Sequence, residues 1–482
     1  MLFNSLDFAI FLPIVFALYW LLPREQVKLQ NVLLLAASYF FYACWDFKFL
    51  FLLIFSTILD YISGIMMAEA GSRRIKKMWF WASIGINLGF LGVFKYYNFF
   101  ADSFAASLSA IGIEASISTL SLILPVGISF YTFHGLSYVI DIYHDKIKPE
   151  RNIVNYSLFV SFFPLLVAGP IERATHLLPQ IQRQRNFNYG KAIDGLRQIL
   201  WGLFKKVVIA DNCAEFANVI FNNSEDYSGS TLIVGALFFT VQIYCDFSGY
   251  SDIALGVARL FGVELLRNFA FPYFSRDIAE FWRRWHISLT TWFRDYLYIP
   301  LGGSRGGTWM KVRNTFIIFL VSGFWHGANW TFIVWGALNA FYFLPLLLSN
   351  KNRNNIEIVA KNKLLPSFAE LRGIALTFTL TTMAWIFFRA ENLPHALSYY
   401  SGIFSASLFS MPDFPGDGRA LVVILLAILF FIVEWLGRES RYAIENIGYC
   451  FNRPMRYAVY YAIAFTVVYF GGKEQEFIYF QF

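Results

Sequence analysis

Long stretches with almost no charge are the feature that most constrains this chain. Met78–Phe94 contains no charged residue, Leu6–Leu22 is broken only by Asp7, and Phe49–Met67 only by Asp60. An α-helix that crosses the hydrocarbon core of a bilayer needs about 20 mostly apolar residues. These stretches therefore predict membrane-spanning helices.

Composition supports lipid as the solvent of this chain. Charged residues make up 15% of the 482, against about 25% in soluble domains. Further apolar windows follow along the chain: Leu120–Ile140, Ile153–Val167, Thr231–Ile243, Phe316–Leu348, Ile374–Phe388, Ala420–Ile432 and Arg456–Phe470. We predict an all-α integral membrane protein with about ten to twelve embedded segments, some tilted or re-entrant.

The first segment is expected to stay in the protein. It has no basic region before it, and Trp20–Pro23 is a poor signal-peptide cleavage site. The four cysteines, Cys44, Cys213, Cys245 and Cys450, are scattered without metal-like spacing. We predict neither a metal site nor a disulfide framework, and expect buried apolar cysteines.

Polar chemistry is concentrated in the middle of a chain that has no tandem repeat and no long soluble linker. We predict one membrane domain, residues 1–482. Within it, residues 1–110 form N-terminal helices, residues 120–390 a catalytic core, and residues 391–482 C-terminal helices with an aromatic tail. Ionisable residues lie inside or beside apolar runs in the core, where each is costly unless it is paired or functional.

The formal net charge of +7 has an ordinary explanation in a membrane protein. Lys and Arg accumulate in cytoplasmic loops, so Arg73–Lys77, Arg183–Lys206 and Arg267–Arg313 are predicted to face the cytoplasm. No nucleic-acid partner is needed to explain this charge.

The block Arg267–Arg313 holds eight basic and three acidic residues. Its aromatic residues and one leucine are spaced for one amphipathic helix in the membrane interface: Phe281, Trp282, Trp285, Leu289, Trp292 and Phe293. The basic face would bind either lipid phosphate or a phosphorylated donor. For the second case we predict Arg283, Arg284 and Arg294 as donor-binding residues.

His326 is the strongest catalytic candidate. It lies in an apolar run of 33 residues, about 50 Å as a straight helix and too long for one crossing. Glycines around it predict a break in the helix. Ser322 and Asn329, at helical spacing, would hold the imidazole tautomer, and Trp325 would shield it. Histidine is the usual general base near neutral pH.

Other ionisable residues leave alternatives open. His286 is a second site residue or a headgroup anchor. Asp246 and Asp252 line a polar cavity or pair with arginines to fix helix packing. His134 is a satisfied core residue or a pocket lining, whereas the remaining histidines, His144, His176 and His395, are predicted to be ordinary surface or loop residues.

Seven motifs in order carry a resemblance that spans most of the chain. They are Leu124-PVGISFYTF, Val167-AGPIER, Tyr244-CDFSGYSDIA, Glu280-FWRRWHISLTTWFRDYLYIPLGG, Gly323-FWHGANWTFIVWG, Trp385-IFFRAEN and Phe477-IYFQF. Together they resemble the bacterial alginate O-acetyltransferase branch of the membrane-bound O-acyltransferase (MBOAT) family. A lone WHG would mean little, but motifs of ten residues or more are specific.

The resemblance implies a fold, a reaction and two residues. The fold is a ring of tilted helices around a central tunnel. The family's essential histidine falls on His326, and its second polar position falls on His286. Members take an acyl group, usually acetyl, from a cytoplasmic thioester such as acetyl-CoA. They pass it to an extracytoplasmic polysaccharide or to a periplasmic relay protein of the SGNH type. The implied location is the bacterial inner membrane.

The residues fit acyl transfer without a serine nucleophile, because the GxSxG string Gly302–Gly306 follows no predicted strand and therefore does not indicate a nucleophile elbow. No bound cofactor is expected, and the thioester is a substrate. The acceptor stays open among alginate, peptidoglycan, other surface glycans, teichoic acid and lipid. The competing class is a transporter or exporter of polysaccharide or acyl groups, which also places polar residues in broken helices.

The aromatic tail has two interpretations. It forms part of an interfacial belt, or it folds into the outer mouth of the tunnel. In the second case the hydroxyl of Tyr479 would accept the acyl group and pass it outward, with His326 or a similar base within reach.

Overall fold

A computed structural model describes residues 1–114, 117–166, 169–471, 475 and 477–478. Those residues form helices and loops, with no strand among them. The N-terminal helices are α1 Leu6–Leu21, α2 Val27–Ala43, α3 Phe47–Ala68, α4 Arg73–Leu91, α5 Tyr97–Ser109, α6 Ile128–Tyr143, α7 Ile153–Ser161, α8 Phe163–Leu166, α9 Ala174–Gln182 and α10 Tyr189–Leu203.

The later helices include the longest of the described chain. They are α11 Asp211–Asn222, α12 Gly229–Leu260, α13 Ile278–Arg284, α14 Ile287–Phe293, α15 Thr308–His326, α16 Trp330–Leu348, α17 Phe368–Arg389, α18 Leu393–Ile403, α19 Asp417–Leu436, α20 Ile447–Cys450 and α21 Arg453–Phe470. Short π-helical segments cover Gly92–Tyr96, Phe204–Ala210 and Arg294–Tyr298, and 3₁₀ turns cover Ser224–Asp226, Pro272–Phe274 and Ala406–Phe409.

Six helices of the described chain are long and apolar enough to cross a membrane. They are Phe47–Ala68, Arg73–Ser109, Gly229–Leu260, Trp330–Leu348, Phe368–Arg389 and Gly418–Leu436. One side of α19 exposes only large apolar side chains, including Leu421, Leu425 and Ile428. A surface of this kind is stable only against lipid, so the predicted all-α integral membrane class is confirmed.

The chain divides into two compact units. Unit 1 comprises Met1–Ala192 and Val257–Leu266, and unit 2 comprises Ile193–Gly256 and Arg267–Phe482. The prediction of a single membrane domain is not tested by this division. In unit 1, Asp60 of α3 accepts hydrogen bonds from Ser83 and Asn87 of α4 at 2.6 and 2.8 Å. These bonds satisfy a carboxyl that is otherwise buried among apolar helices.

Unit 2 contains the helical hairpin α15–α16, whose backbones pack closely. A Cβ atom at Gly323 would lie 2.2 Å from the carbonyl oxygen of Phe332, and one at Gly336 would lie 2.3 Å from that of Phe319. Only glycine permits this approach, because any side chain there would occupy the space of the facing backbone. The predicted break of the 33-residue run is confirmed, since α15 ends at His326.

Several apolar windows differ from the helices that form. Leu120–Ile140 is helical only from Ile128, because Pro125 and the left-handed Gly127 (φ 73°) precede the helix. Ile153–Val167 forms two short helices up to Leu166, and Val167 lies outside the described residues. Thr231–Ile243 is one part of the 32-residue α12.

The prediction of one amphipathic helix through Phe281–Phe293 is wrong. The segment forms α13 and α14, separated at Trp285 and His286, where His286 has a left-handed backbone (φ 42°) that interrupts the helix. Its aromatic side chains are buried in the protein instead of lying on an interfacial surface.

Two further expectations are corrected by burial. Lys205 and Lys206 do not belong to an exposed cytoplasmic loop, because both are buried and paired with carboxylates. Cys213 and Cys245 are buried as predicted, whereas Cys44 and Cys450 are exposed. The apolar composition around a cysteine does not decide its exposure when lipid-facing surfaces are apolar as well.

Candidate active site

His326 is the last residue of α15 and is enclosed by aromatic rings. Its ring centroid lies 4.9 Å from that of Trp325, 5.1 Å from that of Trp335 and 5.3 Å from that of Phe388. The side chain is buried. An imidazole in such surroundings is shielded from bulk water, which strengthens its interaction with a polar substrate.

The two polar neighbours predicted for His326 differ in position. Ser322 is buried one turn earlier on α15, as the spacing predicts. Asn329 caps α16: its side-chain oxygen accepts from the N–H of Thr331 at 3.0 Å, and its amide donates to the carbonyl of Glu391 at 2.7 Å. The predicted role of Asn329 at the imidazole stays a prediction.

His286 lies between α13 and α14 and is held by a residue from an earlier loop. Its Nδ1 is 3.2 Å from Oδ1 of Asn268. The neighbouring backbone is fixed by the same asparagine, because the N–H of Ile287 donates to the carbonyl of Asn268 at 2.9 Å. Ser288 adds a hydroxyl donor to Asn268 Oδ1 at 2.7 Å.

The tautomer of His286 follows from these bonds. The backbone N–H of Ser288 also points at Oδ1 of Asn268, at 3.3 Å, and a backbone N–H can only donate. That atom is therefore the amide oxygen, so His286 donates from Nδ1 and carries its lone pair on Nε2. Burial lowers the pKa of His286 to about 3, which keeps the ring neutral at physiological pH.

Trp325 brings the two histidines into one site. Its ring centroid is 6.1 Å from that of His286 and 4.9 Å from that of His326. The two histidines are 40 residues apart in the sequence, and both rings lie beside Trp325 in unit 2. Asn268, which positions the first of them, has no local sequence signal that separates it from an ordinary loop asparagine.

Asp246 and Asp252 pair with lysines of the π-helical segment Phe204–Ala210. Asp246 Oδ1 is 2.8 Å from Nζ of Lys206, and Asp252 Oδ2 is 2.5 Å from Nζ of Lys205. Asp252 also lines a narrow polar cavity. Cavity lining is thus present at Asp252 alone, and both carboxylates pair with lysine in place of the expected arginine. The cavity is further lined by Lys205, Ser248, Ser251, Arg267, Asn268 and Glu434.

The predicted donor-binding arginines differ in their availability. Arg284 donates to Glu280 at 2.8 Å and is largely buried. Arg283 is exposed but donates to the carbonyls of Asn352 and Asn355. Arg294 is exposed and pairs only with its neighbour Asp295 at 2.7 Å among the bonds described.

The remaining histidines lie in unit 1 or away from the site. His134 is a buried core residue whose Nε2 accepts from the N–H of Glu172 at 3.1 Å, whereas its Nδ1 has no hydrogen-bond partner among the described residues. His144 is exposed, as predicted. His176 is half-buried rather than a free surface residue, and its hydrogen bond to the Glu172 carboxylate raises its pKa. His395 is in the first turn of α18.

Tyr479 lies outside the described residues. The two residues before it are described and buried: Phe477 packs on Phe247 with ring centroids 5.9 Å apart, and Phe247 packs edge-on against His286 at 4.7 Å. The position of the tyrosine hydroxyl relative to His326 stays a prediction.

The fold and the site define a multi-pass membrane protein with two histidines buried around one tryptophan. Comparison with known proteins gives the family. Residues 147–383 match the model of MBOAT, the membrane-bound O-acyltransferase family. The chain belongs to this family, and it is an O-acyltransferase.

Two of three similar relatives cover nearly the whole chain. A probable alginate O-acetylase AlgI of Azotobacter vinelandii is 39% identical over 92% of this chain and 86% of its own length. The peptidoglycan O-acetyltransferase of Helicobacter pylori is 32% identical over 100% of this chain and 98% of its own. A teichoic acid D-alanyltransferase of Bacillus subtilis is 27% identical over 57% and 71%, respectively. The resemblance stated from the sequence motifs is confirmed.

Proposed function

We propose that this enzyme transfers an acyl group, in the first instance acetyl, from a cytoplasmic thioester such as acetyl-CoA to the hydroxyls of an extracytoplasmic polysaccharide. The observation that carries the proposal is the pair His286 and His326 around Trp325. The names of the relatives support a surface-glycan acceptor such as alginate or peptidoglycan. Membership of the MBOAT family and the acyltransferase names of the relatives argue against a transporter without transferase chemistry.

In the proposed reaction His326 is the general base. It takes the proton of the acceptor hydroxyl as the oxygen attacks the thioester carbonyl, the C–S bond breaks, and the proton passes to the departing thiolate. Because Asn268 holds the proton of the ring on Nδ1, Nε2 of His286 can accept a hydrogen bond but cannot donate one. It therefore orients a hydrogen-bond donor of the substrate and does not polarise the thioester carbonyl.

Transfer across the bilayer has two routes in this proposal. In direct transfer, the acceptor hydroxyl reaches the site itself. In a relay, Tyr479 or a periplasmic SGNH-type partner carries the acyl group outward. Both routes place the enzyme in the bacterial inner membrane, since the thioester is cytoplasmic and the glycan is not.

The test is acetyl transfer by purified enzyme in lipid, with acetyl-CoA as donor. His326→Gln keeps the size and a hydrogen-bonding group but removes the base, so we expect a loss of about 10²–10⁴-fold in turnover. His144→Gln is the control, because this histidine is exposed at the end of α6. Turnover by folded His326→Gln equal to that of the control would exclude His326 as the base.

A further inference from the structure

A buried ion cluster in unit 2 is not used by the proposed chemistry. Lys206, fully buried on the π-helical segment Phe204–Ala210, lies 2.7 Å from the carboxylate of Asp211 and 2.8 Å from that of Asp246. One ammonium thus pairs with two buried carboxylates. Buried carboxylates are stable only when further donors satisfy their oxygens.

Part of that need is met by the last described residues of the chain. The backbone N–H of Ile478 donates to Oδ2 of Asp246 at 2.8 Å, and the ammonium of Lys206 donates to the carbonyl of Gln475 at 3.0 Å. The two ions thus bind the backbone of Ile478 and of Gln475, which with Phe477 are called the docked stretch below. Hydrogen bonds to charged groups are roughly twice as strong as those between neutral groups.

The stretch is also anchored by a side chain. Phe477 is fully buried, with its ring centroid 4.5 Å from that of Tyr250 and 5.9 Å from that of Phe247. Phe247 in turn packs edge-on against His286 at 4.7 Å. Phe247 therefore contacts both the docked stretch and the candidate site.

We infer that Lys206 and Asp246 are positioning residues that dock Gln475, Phe477 and Ile478 beside His286, and that acyl transfer depends on this docking. The sequence composition of the tail indicates a lipid-facing aromatic belt equally well, but buried backbone-to-ion bonds are specific for one place in the protein. Only the catalytic consequence rests on the proposed function; the docking does not.

Docking is measured first, by timed digestion of the purified protein with carboxypeptidase and mass spectrometry of the shortened chains. In the parent protein, digestion from the C-terminus should stop before Ile478 is released. Asp246→Asn keeps an acceptor oxygen but removes the charge, and release of Ile478 and Phe477 should become about tenfold faster or more, as expected for loss of a charge-assisted bond. Trimming of Asp246→Asn at the parent rate would overturn the docking.

Matched variants separate docking from general damage. Asp194→Asn breaks an ion pair with Arg441 in the same unit, 3.1 Å long, and should leave trimming unchanged. Phe477→Ala undocks the stretch without touching the buried ions, so it serves if Asp246→Asn folds poorly. Faster trimming of Asp194→Asn would show that any lost ion pair loosens the chain and would overturn the specific role of Asp246.

The catalytic consequence is measured as acetyl transfer. Asp246→Asn and Phe477→Ala should each lower kcat at least about tenfold with little change in the KM for acetyl-CoA. The double variant should lose no more than the worse single variant, because both act through one docked stretch. Undocking with full turnover would overturn the positioning role. Loss of turnover in Tyr479→Phe with normal trimming would support an acyl relay through Tyr479 as the reason why docking is needed. Full turnover by His326→Gln would overturn the proposed chemistry and leave the docking inference intact.

Discussion

His286 shows at the scale of one residue how the site combines strain with support. A left-handed backbone at a non-glycine residue costs roughly 1–3 kcal/mol and persists only where the surroundings determine it. Here Asn268 supplies that support, through its backbone carbonyl to Ile287 and its side chain to His286 and Ser288. The strain turns the imidazole into the interior instead of along a helix surface.

Asn268→Leu tests this support. The substitution keeps the approximate size but removes the acceptor that fixes the proton on Nδ1 of His286, so we expect about a 10–100-fold loss of turnover, as for other residues that orient a functional histidine. The measurement is acetyl transfer per folded enzyme. Asn314→Leu is the control, because Asn314 is equally buried but donates to the carbonyls of Leu301 and Gly303. Equal losses in both variants would contradict a specific role for Asn268.

The arginines of the basic block should separate into two groups. Arg294 is exposed, so Arg294→Glu should weaken acetyl-CoA binding about threefold at low ionic strength and less at high ionic strength, because salt screens exposed charges. Arg284→Met should instead lower the free energy of unfolding by about 1–3 kcal/mol, since it removes a donor to the buried Glu280. Binding titrations at two salt concentrations and thermal unfolding distinguish the effects; unchanged affinity in Arg294→Glu would make this residue a lipid contact.

At the scale of elements, the hairpin α15–α16 sets the position of His326. The two helices approach so closely at Gly323 and Gly336 that the turn between them, residues 327–329, must fall at a fixed place. The cap at Asn329 starts α16, and the aromatic rings of Trp335 on α16 and Phe388 on α17 then close around the imidazole. The histidine is thus placed by contacts of three helices.

Gly336→Ala tests this packing. The added Cβ would lie 2.3 Å from the carbonyl oxygen of Phe319, so the helices must separate, at a cost of about 1–3 kcal/mol in the free energy of unfolding. Turnover should fall as well, because His326 moves with the end of α15. Gly85→Ala on α4 is the control: open space surrounds it, and it should be neutral or slightly stabilising. Thermal unfolding in detergent and transfer assays measure both; a Gly336→Ala enzyme that matches the parent would exclude the close approach.

At the scale of the whole molecule, charge predicts the orientation in the membrane. Arg73–Lys77 and the exposed part of Arg267–Arg313 should face the cytoplasm, whereas the buried Lys205 and Lys206 do not contribute to the loop charge that sets orientation. Arg305→Cys, in a chain whose exposed Cys44 and Cys450 are replaced by Ser, should react with an impermeant thiol reagent only after the cells are permeabilised. Labelling in intact cells would contradict this orientation and would separate the basic block from cytoplasmic acetyl-CoA.

The sequence by itself determined the class, the family and the place of His326. Low charge and long apolar stretches select lipid as the solvent, ordered motifs define the MBOAT family, and an overlong apolar run predicts a helix break at His326. These features are local, because transfer to lipid and helix length depend on consecutive residues.

Only the tertiary structure decided which distant groups meet. The contact of Asn268 with His286 joins residues 18 positions apart, and that of Asp246 with Ile478 joins residues 232 apart. It also divided the block around Trp285 into two short buried helices, against the helical spacing of its aromatic residues. A buried polar group needs a hydrogen-bond partner, and the fold can supply that partner from a distant part of the chain. Such a partner leaves no periodic pattern in the sequence.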